Sequence, residues 1–505
     1  MNSNNIPSFN LVSYKEKPDT YRAKPYKTKQ QKNTQSEDNT DIELFNIGYK
    51  YGHCDTPNEN GIGLYYERSM VFMVSPESPD GKLIAYSPSK THKNDTFRES
   101  VEYNSQTNSG YIDNIVIEEL VEGTMVYLFY IPNVGWEMST RSNIGAGNKF
   151  FTNDSSSRSE NTENIDNSRS YTFREMFMDA WCNQNTFDTF DELQRGYTYV
   201  FMLQHPQNRI VAEVTTPSIV LIAVYQIIDS GSDARYIDIY NDDANGHFQC
   251  FRRVVRYTIP EQYSDSDNNS RPDVVSLEPN TMDRIFQKLN TRIHAMNEAN
   301  NGNDTCGEHI VNNQQPGYEF MGFVIKDTTN GSHTTIRNPQ YDYVRDLRGN
   351  QPKLEFKYLQ LEKQKRVLEY LSFFPEHTRE FHEFSNKKTV FTSYLYEYYV
   401  DCFIHKMKPL ASYSFQYRKH MKHIHQYFMD HLRPNKMCIR RHIVESYVNR
   451  LPEAMLLFAL NYDNRNHENR NHENRNHVNR ENNESPTTIT QEMHEPEQGE
   501  ISENA

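Results

Sequence analysis

Hydrophobic residues follow two different periods along the 505-residue chain. Up to about residue 350, they recur in short runs rich in β-branched and aromatic residues, a pattern typical of β-strands. Two longer runs, at residues 173–181 and 282–296, instead predict helices. Strands are predicted at residues 64–73, 83–86, 126–130, 136–140 and 219–228. We therefore expect a mixed domain of strands and helices over residues 42–350.

Beyond this domain the hydrophobic period lengthens to about 3.6, the period of an α-helix. Apolar residues from Leu354 to Leu371 fall on one helical face, and this helix should end at Pro375. Further helical patterns follow at residues 390–407, 413–432 and 439–451. These patterns predict an all-helical C-terminal domain over residues 351–462.

Both ends of the chain are polar and poor in large aliphatic residues. Residues 1–41 carry Lys-Pro and Gln-Lys-Asn runs, and residues 463–480 repeat Asn-Arg-Asn-His-Glu with a period of five. Neither segment offers apolar side chains to bury, so folding would not compensate for the lost chain entropy. We predict a disordered N-terminal arm over residues 1–41 and a disordered, low-complexity tail over residues 463–505.

Composition narrows the class of protein. The formal net charge of −14 argues against a surface that wraps nucleic acid throughout, although it allows a local basic face. Six cysteines lie far apart without a CxxC pair, which favours reduced thiols in an intracellular protein. No N-terminal signal is recognised, and the longest apolar run, residues 219–228, is too short to span a bilayer. We expect a cytoplasmic protein that is neither secreted nor bound to a membrane.

Residues 118–151 hold the most informative pattern in the sequence. Glu122 and Gly123 precede a β-rich run, a turn follows at residues 133–135, and a Gly-Trp strand leads into Ser-Thr-Arg-Ser. Three further patterns follow in order along the chain. They are Phe201-Met202 before Pro-x-Asn-Arg-Ile-Val, Met321-Gly322 before an apolar run, and Thr335-Ile336-Arg337 before Asn-Pro-x-Tyr.

In this order, the patterns resemble the nucleotide-binding motifs of the covalent nucleotidyltransferases. RNA ligases of the phage T4 type and their relatives in large DNA viruses are the most similar group. The resemblance covers roughly residues 62–350, and the helical C-terminal domain also resembles that of the viral proteins. It implies an α+β fold: an ATP-grasp-like nucleotidyltransferase core of antiparallel sheets with helices, followed by an all-helical domain. It also implies a viral protein of the host cytoplasm or the virion.

The side chains that do the chemistry of this family are replaced here. In the family the hairpin opens with Lys-x-(Asp/Glu)-Gly and its lysine takes AMP from ATP, whereas this chain has Leu120. Met202 and Met321 replace two expected carboxylates, and Arg337 closes a motif that reads Lys-x-Lys in the family. Leucine is not a nucleophile, and a thioether is a poor ligand for Mg²⁺. We predict a catalytically inactive descendant with no metal site, since only an active enzyme would need Mg²⁺.

Several polar residues at the resembling positions still suit a nucleotide, which makes ATP the expected cofactor. Glu122 would accept hydrogen bonds from a ribose. Arg141, Arg209 and Arg337 would bind phosphate through their guanidinium groups, and Lys90 matches a cation of the family. Alternatively, Glu122 and Arg209 bind backbone groups or each other.

The helical domain carries the clearest charge signal. Its cations alternate with tyrosine and histidine rings, a composition that suits single-stranded RNA; the candidates are Arg418, Lys419, Lys422, Arg440 and Arg441. A solvated helix face is the alternative interpretation. Four histidines also cluster here, but no cysteine or carboxylate set completes a metal-ligand pattern; they are His420, His423, His425 and His431.

Three functions remain open at this point. The first is an RNA ligase-like protein without activity that retains nucleotide or RNA binding. The second is an active ATP-dependent RNA ligase that uses a displaced lysine such as Lys90. The third is a structural or interaction protein of a virus that keeps only the fold. Protein partners are not identified by the sequence. Covalent labelling by ATP separates the second function from the others, and RNA affinity separates the first from the third.

Overall fold

The computed structural model describes most of the chain between residues 69 and 462 and shorter segments before it. The described residues are 11, 15, 21–27, 43–49, 69–76, 78–108, 110–149, 171–184, 189–228, 233–243, 246–257, 281–299 and 317–462. They form two compact units, the first ending at Lys353 and the second beginning at Leu354. Within this part of the chain, no helix is long and apolar enough to cross a membrane.

The first unit is built from strands with a smaller number of helices. Its strands are β1 (Tyr21–Lys27), β2 (Glu43–Tyr49), β3 (Ser69–Ser75), β4 (Ser78–Tyr86), β5 (Ile115–Glu119), β6 (Thr124–Ile131), β7 (Gly135–Thr140), β8 (Asn143–Ile144), β9 (Tyr197–Gln204), β10 (Ser218–Ile227), β11 (Ala234–Ile237), β12 (Arg256–Tyr257), β13 (Gly322–Asp327) and β14 (His333–Arg337). Its helices are α1 (Asn94–Thr107), α2 (Phe173–Gln184), α3 (Thr281–Ala299) and α4 (Pro339–Arg348). The predicted α+β class is confirmed.

These strands form three antiparallel sheets. The first sheet has the order β1-β2-β3-β4, the second has the order β11-β10-β9-β6-β7-β8, and the third has the order β12-β5-β13-β14. The predicted hairpin is the β6–β7 pair at the centre of the second sheet, with Tyr130 opposite Trp136. Both strands therefore have a hydrogen-bonded neighbour on each side.

Alternate residues of β6 serve two different cores. Tyr127 and Phe129 pack toward the first sheet, where Phe72 is fully buried. Val126 and Leu128 lie on the opposite face of the second sheet, in a core that includes residues of α2. This alternation is the period-two pattern seen in the sequence, with both faces apolar because both are covered. A third core forms where α1 and α3 pack on the third sheet.

A short part of the predicted N-terminal arm lies among the described residues, and it is a strand. Residues 21–27 form β1, the edge strand of the first sheet, and pair with β2 along its whole length. Among the side chains described in this strand, Tyr26 packs against the core and residues 23–25 are exposed. Backbone bonds to β2, which leave no hydrophobic pattern in the sequence, therefore contribute much of what holds it. Most of the predicted arm and the predicted tail lie outside the described residues.

The second unit is helical, as predicted. Its helices are α5 (Leu354–Gln364), α6 (Val367–Phe373), α7 (Thr378–Tyr399), α8 (Phe415–Tyr427), α9 (Arg441–Arg450) and α10 (Glu453–Leu460). Single turns of π-helix extend α7 and α8 at Val400–Ile404 and Phe428–Leu432. The helix expected from Leu354 to Leu371 is divided into α5 and α6, because Lys365 adopts a positive φ of 59° that ends the first helix.

Gly322 lies where two strands of the third sheet approach each other very closely. Its φ is +138°, and a Cβ atom there would lie 2.1 Å from the carbonyl oxygen of Ile336. We expect Gly322→Ala to lower the free energy of unfolding by about 3 kcal/mol, from backbone strain and this clash together. Chemical denaturation of the full chain measures the change.

Gly135→Ala is the matched control. Gly135 also has a positive φ, +118°, but nothing lies within 4 Å of a Cβ atom there. We expect this variant to cost about 1 kcal/mol, from strain alone. Equal costs for the two variants would contradict the steric account.

Candidate functional site

Residues 120–123 connect β5 of the third sheet to β6 of the second sheet. The amide of Leu120 donates to the carbonyl oxygen of Gly322 at 2.9 Å, and the Leu120 side chain is half-buried. Gly123 passes so close to β9 that a Cβ atom there would lie 2.7 Å from the carbonyl oxygen of Leu203. Leu120, which the sequence resemblance predicts to replace the nucleophile, is therefore fixed at the junction of two sheets.

Glu122 is buried and fully engaged within the chain. Its two carboxylate oxygens accept hydrogen bonds from the amides of Val211 and Ala212, at 2.9 and 3.1 Å. The hydroxyl of Tyr341 also bonds to this carboxylate, and burial together with the negative charge of Glu122 raises the Tyr341 pKa. The segment that reads Pro-x-Asn-Arg-Ile-Val therefore wraps around Glu122. Ribose recognition by Glu122 stays a prediction.

Arg209 and Arg337 are also engaged near this point. Nε of Arg209 donates to the carbonyl oxygen of Val211 at 3.1 Å. The amide of Val211 donates to Glu122, so the backbone of this one residue binds both side chains. Nε of Arg337 donates to both carboxylate oxygens of Asp342, at 2.8 and 3.0 Å. A phosphate would have to compete with these internal acceptors for either guanidinium group.

Arg141 and Lys90, the remaining predicted nucleotide ligands, are exposed. Arg141 lies in the turn between β7 and β8, and Lys90 lies in the segment between β4 and α1. Both positions are accessible to a phosphate group from solvent. The structure thus brings Glu122, Arg209 and Arg337 close to one another and places Arg141 and Lys90 on exposed segments.

The two methionines have different surroundings. Met202 on β9 packs against a buried cluster formed by Val121, Val220 and Val254. Met321 precedes β13, and its carbonyl oxygen accepts a hydrogen bond from the amide of Asn338 at 3.0 Å. The environment of Met202 is apolar and unsuited to a hydrated divalent cation. Among the described residues, no group of three or more His, Cys, Asp or Glu side chains is arranged to hold a metal.

Four charged side chains, which we call the buried charge network, lie close to Leu120; they are Glu118, Lys326, Arg256 and Asp238. Glu118 precedes Leu120 by two residues in the sequence. One oxygen of Glu118 accepts from Arg256 at 3.0 Å and the other accepts from Lys326. Arg256 also donates to Asp238 at 2.7 Å. The network contains two acids and two bases, so each buried charge has an opposite partner.

The buried charge network joins the second and third sheets. Glu118, Lys326 and Arg256 belong to strands of the third sheet, while the ammonium group of Lys326 also donates to the carbonyl oxygen of Ile222 in β10 at 3.1 Å. These residues were not predicted from the sequence. The available signal was a pair of charged residues at the end of each of two apolar runs, Ile-Val-Ile-Glu-Glu and Gly-Phe-Val-Ile-Lys-Asp.

Three of the five predicted nucleic-acid ligands, Arg418, Lys419 and Lys422, lie on one amphipathic helix, α8. The buried face of α8 includes Tyr417, His420 and Ile424, and the exposed side chains form a stripe at helical spacing, which comprises Phe415, Lys419, Lys422, His423 and Gln426. Residues 402–441 contain nine lysines and arginines but a single acidic residue, Asp430. We call residues 402–441 the basic segment.

The five predicted nucleic-acid ligands differ in accessibility. Lys419, Lys422 and Arg440 are exposed, and no ion pair involves them in the part of the chain that the structure describes. Arg418 is half-buried, with its guanidinium group 5.3 Å from the ring centre of Phe415. Arg441 pairs with Glu445 at 3.2 Å and donates to the hydroxyl of Ser393 at 2.8 Å. The first three are therefore the most available to an external phosphate.

Two histidines of the basic segment, His420 and His425, pack within the second unit. His420 is buried and its Nδ1 lies 2.9 Å from the hydroxyl of Tyr447, which also lies 3.3 Å from Nδ1 of His423. Burial, with the nearby His423 and Lys419, lowers the pKa of His420 to about 4. His425 stacks on Phe403 with ring centres 4.0 Å apart.

Comparison with known proteins identifies RNA ligases. No family model matches the chain. The chain is 24% identical over 155 residues to an RNA ligase of Rhodothermus phage RM378; the match covers 29% of this chain and 33%, about a third, of the phage protein. The coarse resemblance to RNA ligases is therefore supported.

Two solved structures are also similar. Form 1 of an archaeal ATP-dependent RNA ligase is 9% identical, with a TM-score of 0.34, and the match covers 74% of each chain. Form 2 is 10% identical, with a TM-score of 0.32, and the match covers 68% of this chain and 69% of the other.

Lys326→Met tests the buried charge network. The variant removes one of the two cations bound to Glu118 and leaves the carboxylate undercompensated, so we expect the free energy of unfolding to fall by about 3 kcal/mol. The control is Arg98→Met, which breaks the more exposed pair with Asp283 and should cost far less, because solvent screens such a pair. Similar losses in the two variants, measured by chemical denaturation, would contradict a structural role for the network.

His420 makes the stability of the second unit depend on pH. The unfolded state, with an ordinary histidine pKa of about 6.5, binds a proton more readily than the folded state, whose His420 pKa is about 4. Stability is therefore retained above pH 6.5 and should fall by up to about 3 kcal/mol as the pH drops toward 4. Denaturation at a series of pH values should show a smaller slope for His420→Gln. The control variant His431→Gln, at an exposed position, should keep the wild-type slope.

Proposed function

We propose that this chain is an RNA ligase-like protein that binds single-stranded RNA and does not transfer AMP to itself. The main support for the binding function is the basic segment, which has nine lysines and arginines and one acidic residue in a chain of net charge −14. Cations on an exposed helix stripe attract the phosphates of RNA, and the exposed rings of Phe415, His423 and Tyr427 offer surfaces for unpaired bases.

The lack of adenylylation follows from the junction of the second and third sheets. Leu120 has no lone pair to attack the α-phosphorus atom of ATP. Met202 and Met321 replace two carboxylates that the resemblance leads one to expect, so Mg²⁺ does not fit there. Within this proposal, residues 42–350 form the ATP-grasp-like nucleotidyltransferase domain of a T4-type ligase relative. Residues 351–462 form its helical domain.

Noncovalent nucleotide binding is a second candidate function. The exposure of Arg141 and Lys90 favours it, because both cations are accessible to the phosphates of ATP. Glu122, Arg209 and Arg337 would complete the site if their internal hydrogen bonds were exchanged for bonds to the nucleotide. Binding of this kind needs neither a nucleophile nor a metal.

Incubation with α-labelled ATP and Mg²⁺ or Mn²⁺, followed by a denaturing gel, tests for adenylylation. We expect no labelled protein, because the chain has leucine in place of the acceptor lysine. A labelled band would contradict this proposal. If Lys90→Ala then removed the label, the protein would be an active ligase with a displaced lysine.

Replacing Lys419 and Lys422 by glutamine tests RNA binding by the basic segment. We expect about tenfold weaker binding of a labelled single-stranded RNA at moderate salt. The slope of log affinity against log salt should also fall by about 1.4, or about 0.7 for each lost phosphate contact. Fluorescence anisotropy of the full chain measures both quantities.

The matched control replaces two exposed lysines of the first unit, Lys149 and Lys288, by glutamine. This variant loses the same charge, so it should retain most of the RNA affinity if the basic segment is the binding surface. Equal losses would show a nonspecific charge effect. Absence of RNA binding by the unaltered chain would favour a structural or interaction protein.

A further inference from the structure

A cavity of about 320 Å³ lies in the first unit, and none of the predicted nucleotide ligands lines it. Its lining comes from β7, α2 and the segment that follows α2, and consists of Trp136, Met178, Trp181, Thr189, Phe190 and Asp191. We call it the tryptophan pocket. Its volume is at the lower end of the range for small-molecule sites, enough for one nucleobase or a ligand of similar size.

The walls of the tryptophan pocket suit a planar aromatic ligand. Phe190 meets Trp181 edge to face with ring centres 4.7 Å apart, and Trp136 stands edge to face with Tyr130 at 5.5 Å. Met178 adds a polarisable thioether, which makes favourable contacts with aromatic rings. Stacking on such a surface contributes about 1–3 kcal/mol per nucleobase.

Two polar features restrict the ligand further. Asp191 and Thr189 are exposed at the pocket, and the Asp191 carboxylate can accept hydrogen bonds from a ligand amine. The indole N–H of Trp136 is buried and has no hydrogen-bond acceptor among the described residues. A suitable ligand therefore donates to a carboxylate. A hydrogen-bond acceptor on the ligand that reached the indole N–H of Trp136 would also satisfy that buried donor.

Arg195 supplies a cation beside this pocket. Its exposed guanidinium group lies 4.5 Å from the ring centre of Tyr130, which is the ring in contact with Trp136. The negative Asp191 and the positive Arg195 therefore lie near the same aromatic group. This arrangement matches a nucleotide, with an amino group on the base and a negative charge on the phosphate.

We propose that the tryptophan pocket binds a nucleobase that carries an amino group. Adenine, cytosine and guanine each offer such a donor to Asp191. Uracil has no amino group, and its single ring N–H donor lies between two carbonyl oxygens, which a carboxylate would repel. The base comes from a free nucleotide or from an unpaired position in single-stranded RNA. The RNA source rests on the proposed function, whereas the free nucleotide does not.

Intrinsic fluorescence can test this proposal with unusual selectivity. The chain has two tryptophans, and both line the pocket. Fluorescence of the full chain, excited at the red edge of indole absorption, is titrated with AMP, CMP and UMP and with adenine-rich and uracil-rich single-stranded RNA. We expect saturable quenching by AMP and CMP, with UMP about tenfold weaker because it lacks the amino donor.

Substitutions at the rim identify the groups responsible. Asp191→Asn should remove most of the preference for AMP over UMP, whereas Glu192→Gln, a change at the neighbouring exposed carboxylate, should leave it intact. Phe190→Leu keeps both tryptophans and should weaken binding of every base about fivefold or more. Because Asp191 is exposed, its variant remains informative even if Phe190→Leu disturbs folding.

The outcomes separate this proposal from the proposed function. Quenching by AMP alone identifies a free nucleotide as the ligand, and quenching only by RNA identifies an unpaired base; either supports the pocket. No saturable quenching by any probe overturns the pocket proposal, and RNA binding seen by anisotropy would then leave the proposed function intact. Saturable quenching by an arginine peptide but not by nucleotides would also overturn it, because the site would then recognise a guanidinium group.

Discussion

The two-sided ion pairing of Glu118 is the constraint on which the first unit depends. Its carboxylate is almost completely buried, yet it contacts a cation from β13 and another from β12. An ionised carboxylate in such a place is stable only with these partners, so the strands that carry them must keep their register. Through Lys326 the same network reaches the backbone of β10 in the second sheet. The junction that carries Leu120 is therefore fixed by charge as well as by apolar packing.

This arrangement gives the first unit internal contacts at the positions where the sequence resemblance leads one to expect an adenylylating site. A catalytic centre concentrates like charges and exposed polar groups, which usually lowers stability. Here Met202 packs with valines, while Glu122 and Arg337 are bonded to groups of the same chain. These contacts stabilise the fold and leave fewer polar atoms available to bind a ligand. The proposed RNA binding would then belong to the second unit, where cations are exposed on a helix.

Much of the fold was predictable from the sequence because it follows from hydrophobic periodicity. The β6–β7 hairpin, α2, α3 and the change to helices near Leu354 are all visible in that pattern. The buried charge network was not, because a charged residue within a strand reads as solvent-facing unless its partner is known. Lys326 and Glu118 are 208 positions apart, and only the third sheet brings them together. The tryptophan pocket was missed for a similar reason, since Trp136 belongs to β7 and Trp181 to α2.

The uneven distribution of charge also has a kinetic consequence. Because the basic segment is strongly positive, the remainder of the chain is more negative than its net charge of −14 indicates. An approaching polyanion is repelled by most of the molecule and attracted by one stretch of helical surface. Such an electrostatic field orients encounters before contact, which raises the association rate at low ionic strength and loses its effect as salt screens the charges. The protein would thus favour one orientation of an approaching polyanion before it contacts any base.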